Sequence, residues 1–97
     1  MDKLIYYNQL FEIYSDLFTD NQKELFKLYY EENYSLQEIA ELKKVSRSFV
    51  SKSINQTIEK LDEYEFILKN LLRKEKINKI LEYDDINKIK NELKKLY

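Results

Sequence analysis

Across 97 residues there is not one glycine and not one proline. Their absence removes the residues that make tight turns at least cost, because Gly supplies positive φ and Pro pre-sets a turn. A chain built this way changes direction at helix ends, where Ser, Thr, Asp and Asn side chains satisfy unpaired backbone N–H groups. No stretch sustains apolar/polar alternation between Gly- or Asn-rich turns, so strands find no support. The sequence predicts an all-α protein, a helical bundle of five to six helices, as a single domain over residues 1–97 around one modest core.

Helix boundaries follow from caps and periodicity. Leu4, Tyr7, Phe11, Tyr14 and Phe18 are spaced 3, 4, 3, 4 and lie on one face of a first helix from about Asp2 to Leu17. In "TDNQ", Thr19 and Gln22 form a capping box opening a second helix, which carries Leu25, Phe26, Leu28, Tyr29 and Tyr30 to about Asn33. Ser35 and Glu38 form another box, opening a short helix from Leu36 to Leu42. Ser46 caps a long helix that the pattern carries to about Arg73, with a break near Lys74 to Lys76. Asp84 or Asp85 caps a last helix with the stripe Ile86, Ile89, Leu93 and Leu96. Residues 66–97 thus form a helical extension beyond the central elements.

The short helix, the turn and the start of the long helix make a helix-turn-helix at about residues 36–56. Ile39 and Ala40 point inward, and Ala40 is small enough for the second helix to cross closely. Val45 plugs the turn, with Leu42 packing beside it, and Val50 and Ile54 anchor the second helix. Val45, Val50, Ile54, Ile39 and Leu25 are expected to be buried together. Arg47, Ser48, Ser51, Lys52 and Asn55 then face outward from the half of the helix that enters the major groove in this motif. Arg and Asn suit guanine and adenine edges, while Ser and Lys suit phosphates.

Charge singles out the same window. Residues 1–41 hold three Lys and nine carboxylates, whereas residues 42–58 hold Lys43, Lys44, Arg47 and Lys52 and no acid. The candidate nucleic-acid-binding set is therefore Lys43, Lys44, Arg47, Ser48, Ser51, Lys52 and Asn55. The net charge of −1 and pI near 5.6 leave little positive charge for tight nucleic-acid binding by this chain alone. A second macromolecule is implied.

Other chemistry is poorly supplied. Without His or Cys there is no Ser-His or Cys-His nucleophile pair and no thiolate metal site, and without Gly there is no phosphate-cradling loop. The Asp84-Asp85 pair reads as a helix cap rather than a metal site. No enzyme activity, cofactor or metal is expected. The nine tyrosines fall at helical spacings that suit core and interface packing better than base stacking. No apolar stretch approaches the roughly 20 residues that span a bilayer, and the start lacks a signal-peptide pattern, so a cytoplasmic protein without membrane insertion is expected. Val50, Ile54, Thr57, Leu61, Tyr64, Leu68 and Leu71 repeat at 4, 3, 4, 3, 4, 3 over about three heptads, which predicts a homodimer.

The stretch "LFEIYSDLFTDNQKELFKLYYEENYSLQEIAELKKVSRSFVSKSINQTIEKLDEYE", residues 10–65, resembles the YlxM family of small bacterial proteins, themselves similar to region four of sigma factors. The resemblance rests on Phe18-Thr19-Asp20-Asn21-Gln22, Tyr29-Tyr30, Tyr34-Ser35-Leu36-Gln37-Glu38-Ile39-Ala40 and Val45-Ser46-Arg47. The lead-in "YYEENYSL" and the follow-on "EKLDEYE" narrow it beyond the sigma-like motif. Lys43 and Lys44 stand where the family usually has an apolar residue and a Gly, so Lys44 is expected to take a left-handed conformation at about 1 kcal/mol. The resemblance implies a regulatory or adaptor role in the signal recognition particle pathway, because family members are encoded beside that particle's GTPase and its receptor. The implied partners are that GTPase, its RNA or both. A sequence-specific DNA-binding transcriptional regulator, contacting duplex DNA through the helix-turn-helix, is the alternative.

Overall fold

A computed structural model describes residues 2–82 and 85–96. Its described residues form six α-helices and no strand: α1 (Lys3–Tyr14), α2 (Asp20–Tyr30), α3 (Leu36–Lys43), α4 (Arg47–Leu68), α5 (Asn70–Ile80) and α6 (Ile86–Lys94), with a 3₁₀ turn at Ser15–Leu17 after α1. The helices begin where short polar side chains can cap them. Thr19 with Gln22 and Ser35 with Glu38 form reciprocal capping boxes, while Asp2, Ser46 and Asp85 accept backbone N–H bonds at the starts of α1, α4 and α6. Of the two candidate caps for the last helix, Asp85 serves; Asp84 lies outside the described residues.

Without glycine, the chain bends at other residues in the left-handed region: Asn33 (φ 62°), Lys44 (φ 57°) and Lys69 (φ 54°). Lys69 corrects the expected path of the long helix. That helix ends at Leu68 rather than near Arg73, and the break falls at Lys69 rather than at Lys74 to Lys76. Two contacts accompany this break. The Glu65 carboxylate reaches forward to accept the N–H groups of Leu71 and Leu72, both at 3.1 Å, capping α5 from the preceding helix. Leu71 is buried among Leu10, Phe11, Tyr14, Phe18, Phe26 and Leu61. The heptad stripe is thereby cut, and Leu71, expected to need another chain, finds its partners within its own.

Two adjoining apolar clusters make the core. The one above joins α1, α2, α4 and α5 and is largely aromatic: Phe11 stacks on Phe26 with ring centroids 4.2 Å apart, and Phe26 on Tyr30 at 4.6 Å. The second contains Leu25, Leu28, Ile39, Ala40, Val50 and Ile54, and it fixes α3 and the start of α4 on α2. Tyr30 and Ile58 touch both clusters. The tyrosines at 6, 7, 14, 29, 30 and 64 pack within this interior, as their spacing predicts.

Some expected core positions are exposed. Val45 is 38% exposed and Leu42 56%, so neither side chain plugs the helix-turn-helix turn; backbone hydrogen bonds hold it instead. Leu4, at the outer end of the first stripe, is also exposed. In α6, Ile89, Leu93 and Leu96 are half-buried and Ile86 is exposed. That helix packs chiefly on α5, around buried Ile80. The result is a rod of 57 × 22 × 19 Å with a radius of gyration of 17.4 Å, against about 12.5 Å for a compact chain of this length.

Ile54 is 4% exposed at the centre of the second cluster. Ile54→Ala should lower stability by about 2–5 kcal/mol in urea unfolding. A loss below about 0.5 kcal/mol would place Ile54 outside the core.

The tyrosines packed on the core, buried Tyr14 and half-buried Tyr7 and Tyr30, predict an alkaline limit. Burial, and then the hydrogen bond to Asp62, push the Tyr7 hydroxyl from 10.0 up to about 12, and burial also raises Tyr14 and Tyr30. A hydroxyl whose pKa is raised by folding contributes stability that is intact below its unfolded pKa and disappears as pH climbs through the folded value. Denaturation midpoints should therefore hold up to about pH 10 and fall steeply towards about pH 12. Tyr7→Phe should shrink that fall, and an unchanged alkaline limb in this variant would refute the assignment.

Candidate nucleic-acid interface

The interface is built from a turn that needs no glycine. Lys44 follows the last residue of α3 with φ 57° and ψ 45°, a left-handed residue ending the helix. The Val45 N–H donates back to the Ala40 carbonyl at 3.0 Å, and the Lys44 N–H to the Glu41 carbonyl at 3.4 Å. This is the Schellman pattern of helix ends, with Lys where Gly is favoured. Ser46 immediately caps α4, its Oγ accepting the Phe49 N–H at 3.0 Å. One left-handed residue and one cap thus set the crossing of α3 and α4. Ala40, 4% exposed, lies in the cluster between them.

The N-terminal end of α3 is fixed just as locally. Ser35 Oγ accepts the Glu38 N–H at 3.0 Å, and the Glu38 carboxylate accepts the Ser35 N–H at 3.0 Å. That bond holds the Glu38 carboxyl below its ordinary range. Glu38 is solvent-exposed, so its role is to orient the helix start.

On α4, buried Val50, Ile54, Thr57 and Leu61 define the inner face. Arg47, Ser48, Lys52 and Asn55 are exposed, and Ser51 is half-buried at the edge. Ser48, Ser51, Lys52 and Asn55 line one open depression together with Gln56 and Glu59. Gln56 belongs to this face and was not among the sequence candidates. Its signal was present: it stands four residues after Lys52 and eight after Ser48, on the same side of the helix. Its amide can address an adenine edge as Asn55 can. Glu59 closes the face with a negative charge. Phe49 is also exposed, at 49%, beside the exposed Val45 and Leu42 of the turn region.

The basic window divides. Lys43 Nζ lies 2.6 Å from the Glu24 carboxylate of α2, so this candidate is tied to the protein's own acidic half. Lys44, Arg47 and Lys52 make no ion pair within 4 Å among the described residues. Three unpaired cations over a polar row of Ser, Asn and Gln can touch phosphates and base edges, but they form only a small positive patch. No described helix is long and apolar enough to cross a membrane.

Capped α3, a left-handed turn and an outward-facing α4 on a trihelical core define a helix-turn-helix protein. Comparison with known proteins agrees: residues 1–97 match the model of the UPF0122 family, described as "Putative helix-turn-helix protein, YlxM / p13 like". The chain belongs to this family. It is 38% identical to the UPF0122 protein YlxM of Bacillus subtilis, over 96% of this chain and 88% of that one. It is 42% identical to a UPF0122 protein of Halalkalibacterium halodurans, over 84% of this chain and 75% of the relative. Matches to UPF0122 proteins of Oceanobacillus iheyensis and Streptococcus suis cover 62% and 54% of those relatives, at 43% and 48% identity.

The left-handed Lys44 yields a two-sided expectation. Lys44→Gly should raise unfolding stability by about 0.5–1 kcal/mol, because Gly adopts this φ without the Cβ clash. If the chain binds duplex DNA, the same change should lower the magnitude of the log–log salt slope by about 1, as loss of one phosphate contact does. A destabilised Lys44→Gly protein would show that the turn is not left-handed in solution.

Proposed function

We propose that this chain is a non-enzymatic regulatory adaptor of the signal recognition particle pathway, which uses its helix-turn-helix as a weak nucleic-acid contact and binds a protein partner through other faces. The observation that carries the reading is electrostatic. The recognition helix stands on a helix-turn-helix scaffold, yet its basic patch is down to Lys44, Arg47 and Lys52, with Lys43 paired to Glu24. Three phosphate contacts give a log–log salt slope of about −3 and weak non-specific affinity, so a second macromolecule is needed to hold a complex. The pathway comes from the family resemblance, whose implied partners are the particle's GTPase and its RNA. The acidic half of the chain, with Glu31 and Glu32 exposed after α2, suits a basic protein surface.

A second reading, a sequence-specific DNA-binding regulator, is favoured by the row Ser48, Lys52, Asn55 and Gln56 along one face of α4. A helix of this kind enters the roughly 12 Å major groove of B-DNA, whereas the deep, narrow groove of an RNA duplex excludes it. RNA contact would therefore be limited to phosphates, reached by Lys44 of the turn and by Arg47 and Lys52 on the outer face of α4.

Purified protein titrated against the GTPase, the particle RNA and duplex DNA at several salt concentrations separates the two. The adaptor reading expects a salt-sensitive complex with the GTPase or the GTPase–RNA assembly, weakened by joint Glu31→Lys and Glu32→Lys more than RNA binding is. Nanomolar binding to a defined DNA site that loses discrimination in Arg47→Ala and Asn55→Ala, with no complex formed by the pathway components, would replace it with the regulator.

A further inference from the structure

The break between α4 and α5 creates a second surface, at the other end of α4 from the helix-turn-helix. Phe66 lies on the last turn of α4 and is 81% exposed, more than any other large apolar side chain among the described residues. Leu72, on the first turn of α5, is 42% exposed. Both line one groove, together with Tyr6 of α1. Three carboxylates share that lining, Asp62, Glu65 and Glu75, against the single cation Lys69. The same three raise the Tyr6 hydroxyl beyond the effect of its burial, so their field converges on the groove. Two exposed apolar side chains edged by acids offer a partner apolar contact and charge complementarity at one place.

We propose that this groove docks a basic amphipathic helix from a protein partner, its apolar face on Phe66 and Leu72 and its Lys or Arg residues on the Asp62 and Glu75 carboxylates. The chemistry matches helix-in-groove recognition, with apolar anchors at i, i+3 or i+4 and charged flanks setting orientation. A second copy of the chain fits poorly. A two-fold pairing of groove on groove sets the same three carboxylates against themselves, and a non-symmetric pairing leaves a second groove open. Glu65 also has a fixed duty, capping α5 through the Leu71 and Leu72 N–H groups, so the groove exists before anything binds. Such preorganisation reduces the ordering cost of association. The inference deepens the adaptor reading by giving its protein partner a surface, and it is tested without the pathway's components, so either can fail alone.

The chain has no tryptophan, so a single Trp on a synthetic Leu/Lys amphipathic helix reports binding without background. The expected result is a saturable blue shift of the peptide's emission on titration with the full-length protein. Phe66→Ala should weaken it about tenfold, as loss of an anchor does, and its circular dichroism should match the parent because Phe66 is exposed. Glu75→Lys should weaken it about threefold as a change in the rim, while Glu12→Lys, an equal change of charge on α1 outside the groove, should leave it unaltered. Three outcomes overturn the proposal. One is no blue shift; another is equal weakening by Glu12→Lys and Glu75→Lys with no effect of Phe66→Ala, the mark of general charge attraction. The third is a sedimenting dimer that Phe66→Ala dissociates, which would make the groove a self-interface.

Discussion

The architecture depends on one carboxylate. Glu65, near the end of α4, receives the Tyr14 hydroxyl at 2.8 Å and the N–H groups of Leu71 and Leu72 at 3.1 Å. Tyr14 in turn accepts the Asn70 N–H at 3.3 Å. A single acid thereby gathers the end of α1, the end of α4 and the first turn of α5. Charge-assisted bonds of this kind are about twice as strong as neutral ones, and the helix start they cap favours negative charge. They hold the chain bent at Lys69, with Leu71 in the core. The burial of Leu71, the groove beside Phe66 and the course of α5 follow from this bend.

The same economy governs the other bends. Asn33, Lys44 and Lys69 stand in a region where a Cβ costs about 1–2 kcal/mol. At Lys44 the two backbone bonds that close the end of α3 offset this cost, and at Lys69 the Glu65 cap does. The chain is rich in Lys, Ile and Asn and has no Gly or Pro. Left-handed positions in such a chain fall to Asn and Lys because these are the residues at hand.

What could be read from the sequence was local. The capping boxes at Thr19/Gln22 and Ser35/Glu38 and the Ser46 cap are decided within four residues, and the structure has them all. The left-handed Lys44 was legible only from the family's Gly at that place, and the structure has it too. The inner face of α4 was legible because Val50 and Ile54 repeat at helical spacing. The break at Lys69 was not, since Glu65 acts across six and seven residues and on Tyr14 at a separation of 51. No periodicity reports a contact of that range. Val45 misled for another reason: hydrophobicity suggested a plug, whereas its backbone N–H closes the turn and its side chain stays half in water. In the interface, the polar face of α4 was visible but the Lys43–Glu24 pair was not, because it joins two helices whose relative placement only the fold defines.

The rod shape makes stability uneven along the molecule. α1 to α4 share two continuous clusters, and α5 joins them through Leu71, but α6 is held mainly by α5 and keeps no fully buried residue of its own. A helix with so little buried surface opens at far lower free energy than the core on which the rest depends. Its amide protons should exchange with solvent well before those of Val50 to Leu61. The molecule therefore divides into a cooperative body and a fraying arm, and α4 belongs to the body.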